Sequence, residues 1–251
     1  MLDKNILIEY YLENGIFDII EEVPFSHIKK IEKPEHKEET MTKIKEKPIE
    51  NANEKIIYAR KLADSATTLE QLKDIVKNFG QLEIEKYAKN VVFGDGNPTS
   101  KIMLIGEAPG DNEDQQGIPF CGDSGKLLMN IFEAIDYKRD DLYIANTLFW
   151  RPPANRKPTK EELSICKPIL EKHIALINPK VIICVGETSL KALIETDLTI
   201  TKARQNIFEY KNQYLSEAIK VTPIFHPSYL LRSSIKKKDM WHDLIFIKTH
   251  I

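Results

Sequence analysis

Two short segments of the chain carry residue types suited to hydrolysis. Gly106-Glu107-Ala108-Pro109-Gly110 directly follows the apolar run Lys101-Ile102-Met103-Leu104-Ile105. His226-Pro227-Ser228-Tyr229-Leu230-Leu231-Arg232 follows a second apolar run, Val221 to Phe225. A short apolar run ending in a Gly- and Pro-containing turn reads as a strand feeding a loop at its carboxyl end. In open α/β sheets ligands bind on such loops. An acid on one strand-end loop and a histidine on another is what a hydrolytic site needs. A further acid pair, Glu113-Asp114, lies on the same loop as Glu107.

The elements that must position these residues can be read from hydrophobic periodicity. Strands are predicted over 101–105, 142–146, 180–185 and 219–225, and helices over 124–135, 160–176, 187–195 and about 239–248. Strands separated by helical stretches imply a parallel sheet covered by helices on both faces. Upstream, Ile56 to Ala63 and Thr68 to Phe79 read as helices, the second opened by a Thr67-x-x-Glu70 capping box. Residues 2–20 have a mostly helical spacing broken at Gly15, and residues 33–54 are nearly all Glu, Lys, Pro, Thr and Asn. The expected organisation is a helical segment over 1–32, a charged disordered linker over 33–54 and an α/β domain over 55–251.

Composition narrows the class. The chain has 251 residues, 42% of them hydrophobic, enough for one domain and an appendage. No run has the length of a membrane span and no signal pattern opens the chain, so a cytoplasmic protein is expected. Three widely spaced cysteines, Cys121, Cys166 and Cys184, fit a reducing compartment and exclude a disulfide framework. Net charge is −2, yet Thr201 to Ile251 holds nine Lys and Arg against four acids. A basic flank beside His226 could neutralise phosphates.

The blocks GEAPGDNED, GIPFCGDSG, IANTLFWRPPANRKPT, VIICVG and FHPSYLLR, in this order, resemble those of the family 4 uracil-DNA glycosylases, the iron–sulfur branch of that superfamily. The resemblance implies a three-layer α/β/α sandwich around a central four-stranded parallel sheet, with an N-terminal helical extension. It implies hydrolysis of the N-glycosidic bond of deoxyuridine in DNA, by base flipping and leaving an abasic site, as in base-excision repair. Glu107 resembles the acid that positions water and offsets the cationic sugar, and His226 the donor to O2 of the departing uracil. Phe120 matches the aromatic platform for the flipped base, Asn146 the amide that reads its edge, and Glu113 an acid that shapes the pocket near uracil C5. Ser228, Arg232, Arg151 and Arg156 are the phosphate candidates, and Leu230 or Leu231 the wedge that fills the vacated stack.

The resemblance also implies a [4Fe–4S] cluster on four cysteines, and here the chain departs from it. Three of the four positions hold Phe79, Leu82 and Trp150, and only Cys166 is kept. One thiolate cannot hold a cubane cluster, so no metal site and no cofactor are expected. A smaller departure is Gln205, where the family typically has Arg-Gly. The expected partner is uracil-containing DNA, with no membrane, a repair or polymerase partner reached through residues 1–54, and a monomeric state. The alternative is a non-catalytic DNA-binding or DNA-polymerase-associated module on the same fold.

Overall fold

Continuous Val- and Ile-rich runs without polar alternation form the centre of the molecule, as strands buried on both faces require. The computed structural model describes Ile49 and residues 51–250. Six strands, β1 (Asp95–Gly96), β2 (Ile102–Gly106), β3 (Tyr143–Asn146), β4 (Val181–Val185), β5 (Phe208–Tyr210) and β6 (Ile219–Ile224), form one sheet in the order β1-β3-β2-β4-β6-β5. The inner four are parallel, as expected. Two short antiparallel edges, β1 and β5, are added to them. Runs of two and three residues are too short to carry a periodicity.

Register decides where the functional loops lie. Gly106 pairs with Asn146, Ile105 with Cys184 and Val185 with Ile224. The carboxyl ends of all four parallel strands therefore meet at one edge, and the loops beginning at Glu107, Thr147, Gly186 and Phe225 rise side by side.

The helices are α1 (Ala52–Ser65), α2 (Leu69–Lys77), α3 (Asp111–Gln116), α4 (Asp123–Glu133), α5 (Lys160–Ile177), α6 (Glu187–Leu193), α7 (Ile200–Ala203), α8 (Pro227–Arg232) and α9 (Lys237–His250). Leu128 and Phe132 of α4 and Met240, Leu244 and Ile247 of α9 bury one face of the sheet against Leu104, Ile144 and Ile183. Leu170, Ile174 and Ile177 of α5 and Leu190 of α6 bury the other against Met103, Ile105 and Ile182. Alternate strand residues go to opposite layers, and each fully buried Leu or Ile contributes about 1.5–3 kcal/mol. A third apolar cluster joins α1 and α2 to α5 and the segment Leu148 to Trp150.

Most boundaries shift by one or two residues, and two differences upstream of the sheet change how an element begins. The cap of α2 is Thr68, which accepts from Gln71 N, while Thr67 bonds the Gln71 side chain. The cap thus lies one residue later than Thr67, and the side-chain partner is Gln71 rather than Glu70, bonded to Thr67 and not to the cap residue. Helix α1 starts at Ala52 under an Asn51 cap, so residues 52–54 belong to the helix rather than the linker. The remaining expectations for residues 1–48 lie outside the described residues. No helix among the described residues is long and apolar enough to cross a membrane.

Candidate active site

A cleft of about 270 Å³ opens at the edge where the strand ends meet. Its walls include Glu107, Glu113, Phe120, Asn146, Arg156, His226 and Ser228, so seven of the residues singled out in the sequence converge on one space. A second cleft adjoins it at Glu107, His226 and Ser228 and extends to Thr188, Lys191, Tyr229 and Arg232.

Gly106 sets the depth of the first cleft. A Cβ there would collide with Asn146 Oδ1 and, at 2.6 Å, with the Phe120 ring. Only the absence of a side chain lets both groups crowd the end of β2. Asn146 is 2% exposed, and its side-chain amide makes no hydrogen bond to any described residue. Its nitrogen and oxygen both open onto the cleft, with donor and acceptor free for a ligand. The Phe120 ring lies 5.8 Å from the His226 ring at 35°, forming a wall beside that amide.

Glu107 is fixed at both ends. Its carbonyl accepts from Thr147 Oγ1 and from Leu148 N, which tie the β2 loop to the β3 loop. Its carboxylate accepts from the hydroxyl of Thr188, in the first turn of α6. Thr188 was not anticipated. Nothing in Gly186-Glu187-Thr188 marks the threonine beyond its closeness to a strand end.

Glu113 is neither an exposed loop acid nor a free pocket acid. One oxygen accepts from Cys121 N at 3.1 Å and Gly122 N at 2.9 Å, and the other from Gly110 N at 3.1 Å. It clamps the two loops that carry the wall of the cleft. The Cys121 thiol is held above its ordinary pKa by burial and by the Glu113 charge, so it is a thiol rather than a nucleophilic thiolate.

His226 caps the six-residue helix α8. Ser228 N donates to its Nδ1 at 3.2 Å, and Ser228 Oγ lies 2.9 Å from the same nitrogen. A ring nitrogen that accepts from a backbone amide carries no proton, so the neutral ring holds its hydrogen on Nε2. That nitrogen has no partner among the described residues. Burial pushes the pKa of His226 down, opposed by Glu107 and assisted by Arg232. The imidazole is thus a neutral donor at neutral pH.

The phosphate candidates are placed unequally. Ser228 and Arg232 flank the histidine across the two clefts. Arg156 lines the first cleft while forking onto Glu162, which also joins Thr159 in the capping box of α5. Arg151 does not line either cleft. It pairs with Asp111 at 2.5 Å and with Asn155 at 2.7 Å, which ties α3 to the 151–155 loop. Leu230 is fully buried against the sheet and cannot be a wedge, whereas Leu231 is 52% exposed. The helical turn of α8 sends the two neighbours in opposite directions.

The four positions that the resemblance assigns to cluster cysteines also come together. Phe79, Leu82, Trp150 and Cys166 lie in one apolar cluster, exposed by 6% or less, with the Phe79 and Trp150 rings 6.0 Å apart and nearly parallel. Burial holds Cys166 well above its ordinary pKa, as a thiol. No group of three or more His, Cys, Asp or Glu suited to a metal ion occurs among the described residues.

Comparison with known proteins agrees with this geometry. Residues 93–245 match the model of the uracil DNA glycosylase superfamily. The chain belongs to that superfamily. A type-4 uracil-DNA glycosylase of Sulfurisphaera tokodaii is 36% identical over 181 residues, covering 70% of this chain and 81% of the relative. One from Thermotoga maritima is 39% identical over 171 residues, 66% of this chain and 86% of the relative. A DNA polymerase of Bacillus phage SP01 is 30% identical over 151 residues, 59% of this chain but 16% of the polymerase. The superfamily match spans every residue of the cleft walls and ends within α9.

Proposed function

We propose that the chain hydrolyses the N-glycosidic bond of deoxyuridine in DNA, as a monofunctional glycosylase of base-excision repair. The observation that carries this reading is the pairing, in one cleft, of a neutral His226 whose donor nitrogen is free with a buried Asn146 amide whose hydrogen-bonding groups are free. Asn146 ends β3 and His226 follows β6, and both face the cleft walled by Phe120.

The target bond is inaccessible in a stacked duplex, so the nucleotide must swing out into the cleft. Uracil then stacks on Phe120, a contact of about 1–3 kcal/mol per base. Asn146 offers an acceptor to N3–H and a donor to O4, while cytosine presents the reverse pattern. As the bond breaks, negative charge grows on the base and the sugar gains oxocarbenium character. His226 donates through Nε2–H to uracil O2, where that charge collects. Glu107, held by Thr188, positions water on the sugar and offsets its positive charge. Glu113 shapes the wall beside uracil C5 through the loops that it clamps. Ser228, Arg232 and Arg156 hold phosphates, and Leu231 fills the gap in the stack. Arg151 supports the loop of Arg156 rather than the strand itself. The protein acts as a monomer in the cytoplasm.

Type-4 relatives raise the matter of an iron–sulfur cluster. The residues here do not fit one, since three of four ligand positions are apolar and the fourth is a thiol that burial, and the charges of Glu85 and Glu162, keep protonated. Packing of Phe79, Leu82 and Trp150 takes over the volume, and no step depends on a metal. Anaerobically purified protein should lack stoichiometric iron and the band near roughly 400 nm that such a cluster gives. Stoichiometric iron would overturn this assignment.

A second reading is favoured by the match to part of a phage DNA polymerase. The chain would then be a non-catalytic DNA-binding or polymerase-associated module, reached through residues 1–54. Cleavage of a labelled uracil oligonucleotide, single-stranded and as a U·G duplex, followed by alkali, separates the two. Product from uracil but not thymine supports the glycosylase. Binding without product supports the module.

A further inference from the structure

We propose that Arg139 is a positioning residue for the stacking wall of the cleft, acting through Phe120. The proposal deepens the uracil-excision reading and rests on it. Phe120 has a φ of 51°, a left-handed conformation that a bulky residue keeps only when its surroundings hold it.

The surroundings are specific. Arg139, in the turn just before β3, donates from Nη2 to the Pro119 carbonyl at 2.7 Å and from Nη1 to the Phe120 carbonyl at 3.3 Å. Its Nε donates to Asp95 Oδ2 at 2.7 Å. One planar fork thus joins three acceptors, which an ammonium on a flexible stem cannot reproduce. From the other side Gly125 of α4 presses on the Phe120 carbonyl, where a Cβ would clash. Glu113 holds the next two amides, Cys121 N and Gly122 N.

Arg139 does not line the cleft, so any effect on the base must pass through the Phe120 peptide. The Asp95 ion pair is itself partly exposed, at 27% and 39%, and such pairs contribute little alone. The charge-assisted bonds to the two carbonyls are the stronger part. Asp95 aims the guanidinium at them, which gives the two-residue edge strand β1 a reason to exist: its pairing with Ile144 puts Asp95 beside the turn.

A double-mutant cycle tests this. Single-turnover excision from a single-stranded uracil oligonucleotide is measured for the wild type, Arg139→Met, Phe120→Ala and the double variant. Inhibition by free uracil, affinity for uracil-free DNA and thermal melting are measured alongside. The expected result is a loss of about tenfold or more for Arg139→Met, a matching weakening of free-uracil inhibition, and unchanged affinity for uracil-free DNA. In the Phe120→Ala background the same change should cost less than about twofold. Arg139→Lys should recover only part of the loss. Equal losses in both backgrounds would overturn the proposal, as would no loss in an otherwise active protein. If Arg139→Met does not fold, Asp95→Asn takes its place in the cycle with an expected loss of about threefold. A wild type that neither excises nor binds free uracil overturns the underlying reading instead.

Discussion

The cleft and the apolar cluster of Phe79, Leu82, Trp150 and Cys166 differ in what holds their side chains in place. In the cleft, polar groups are held by other polar groups: Glu107 by Thr188, His226 by Ser228, and three amides by Glu113. In the cluster the side chains pack by shape, with stacked rings, and the polar bracing is confined to the backbone, where Glu85 accepts from the amides of Gly80, Gln81 and Leu82. The segment Leu148 to Arg151 leaves β3 just after Asn146 and joins the two, with Trp150 on one side and Arg151 on the other. Chemistry fixes residue type in the first region, because each atom must donate or accept. Shape fixes only volume in the second, so different residues can fill it.

The sharpest way to break this contrast is His226→Ala. Uracil excision should fall by about a hundredfold or more while DNA affinity stays within a few-fold. An equally active variant would remove the histidine from the chemistry. Trp150→Ala is its counterpart. It should lower stability by about 3–5 kcal/mol in denaturant unfolding and leave the excision rate of the folded fraction nearly unchanged. A folded but inactive Trp150→Ala protein would mean that the apolar region takes part in the reaction.

The adjacent leucines repeat the comparison at smaller scale. Leu230→Ala should cost about 2–5 kcal/mol of stability. Leu231→Ala should cost no more than about 0.5 kcal/mol, and its excision should fall more on duplex than on single-stranded DNA. Reversal of the two effects would exchange their roles.

A further expected effect concerns pH. His173 is fully buried, bonded to the Tyr143 hydroxyl at 2.8 Å and stacked on Phe93, with Nδ1 unpartnered. Burial pushes its pKa down to about 3. The folded ring stays neutral while the unfolded one takes up a proton below about pH 6.5. Stability should therefore decline as pH falls, by about 1.4 kcal/mol per pH unit between about pH 6 and pH 4, and be insensitive to this group above pH 7. His173→Gln should flatten the slope in urea titrations at several pH values. An unchanged slope would assign the decline to other groups.

The sequence made most of this architecture readable. The four parallel strands follow from uninterrupted apolar runs; Glu107 and His226 stood out because each follows such a run, while their roles and that of Asn146 came with the family resemblance. What could not be read depends on contacts between distant segments. Thr188 meets Glu107 across 81 residues, and Arg139 reaches Phe120 and Asp95 from different loops. The leucine pair was ambiguous because a six-residue helix is too short to display a face. Arg151 stands beside Arg156 in the sequence, but the partner it pairs with, Asp111, lies 40 positions away and could not be read there.

Gly106 carries one more implication. Its bare Cα is the floor on which the Asn146 amide and the Phe120 ring converge, and one methyl is all that separates an open recess from a filled one. Gly106→Ala would leave the phosphate-facing exterior, the charge and the sheet register as they are while plugging the recess from below. The outcome would be a protein that still travels along DNA yet admits no extruded base. Such a sealed variant would separate the search for a lesion from its repair.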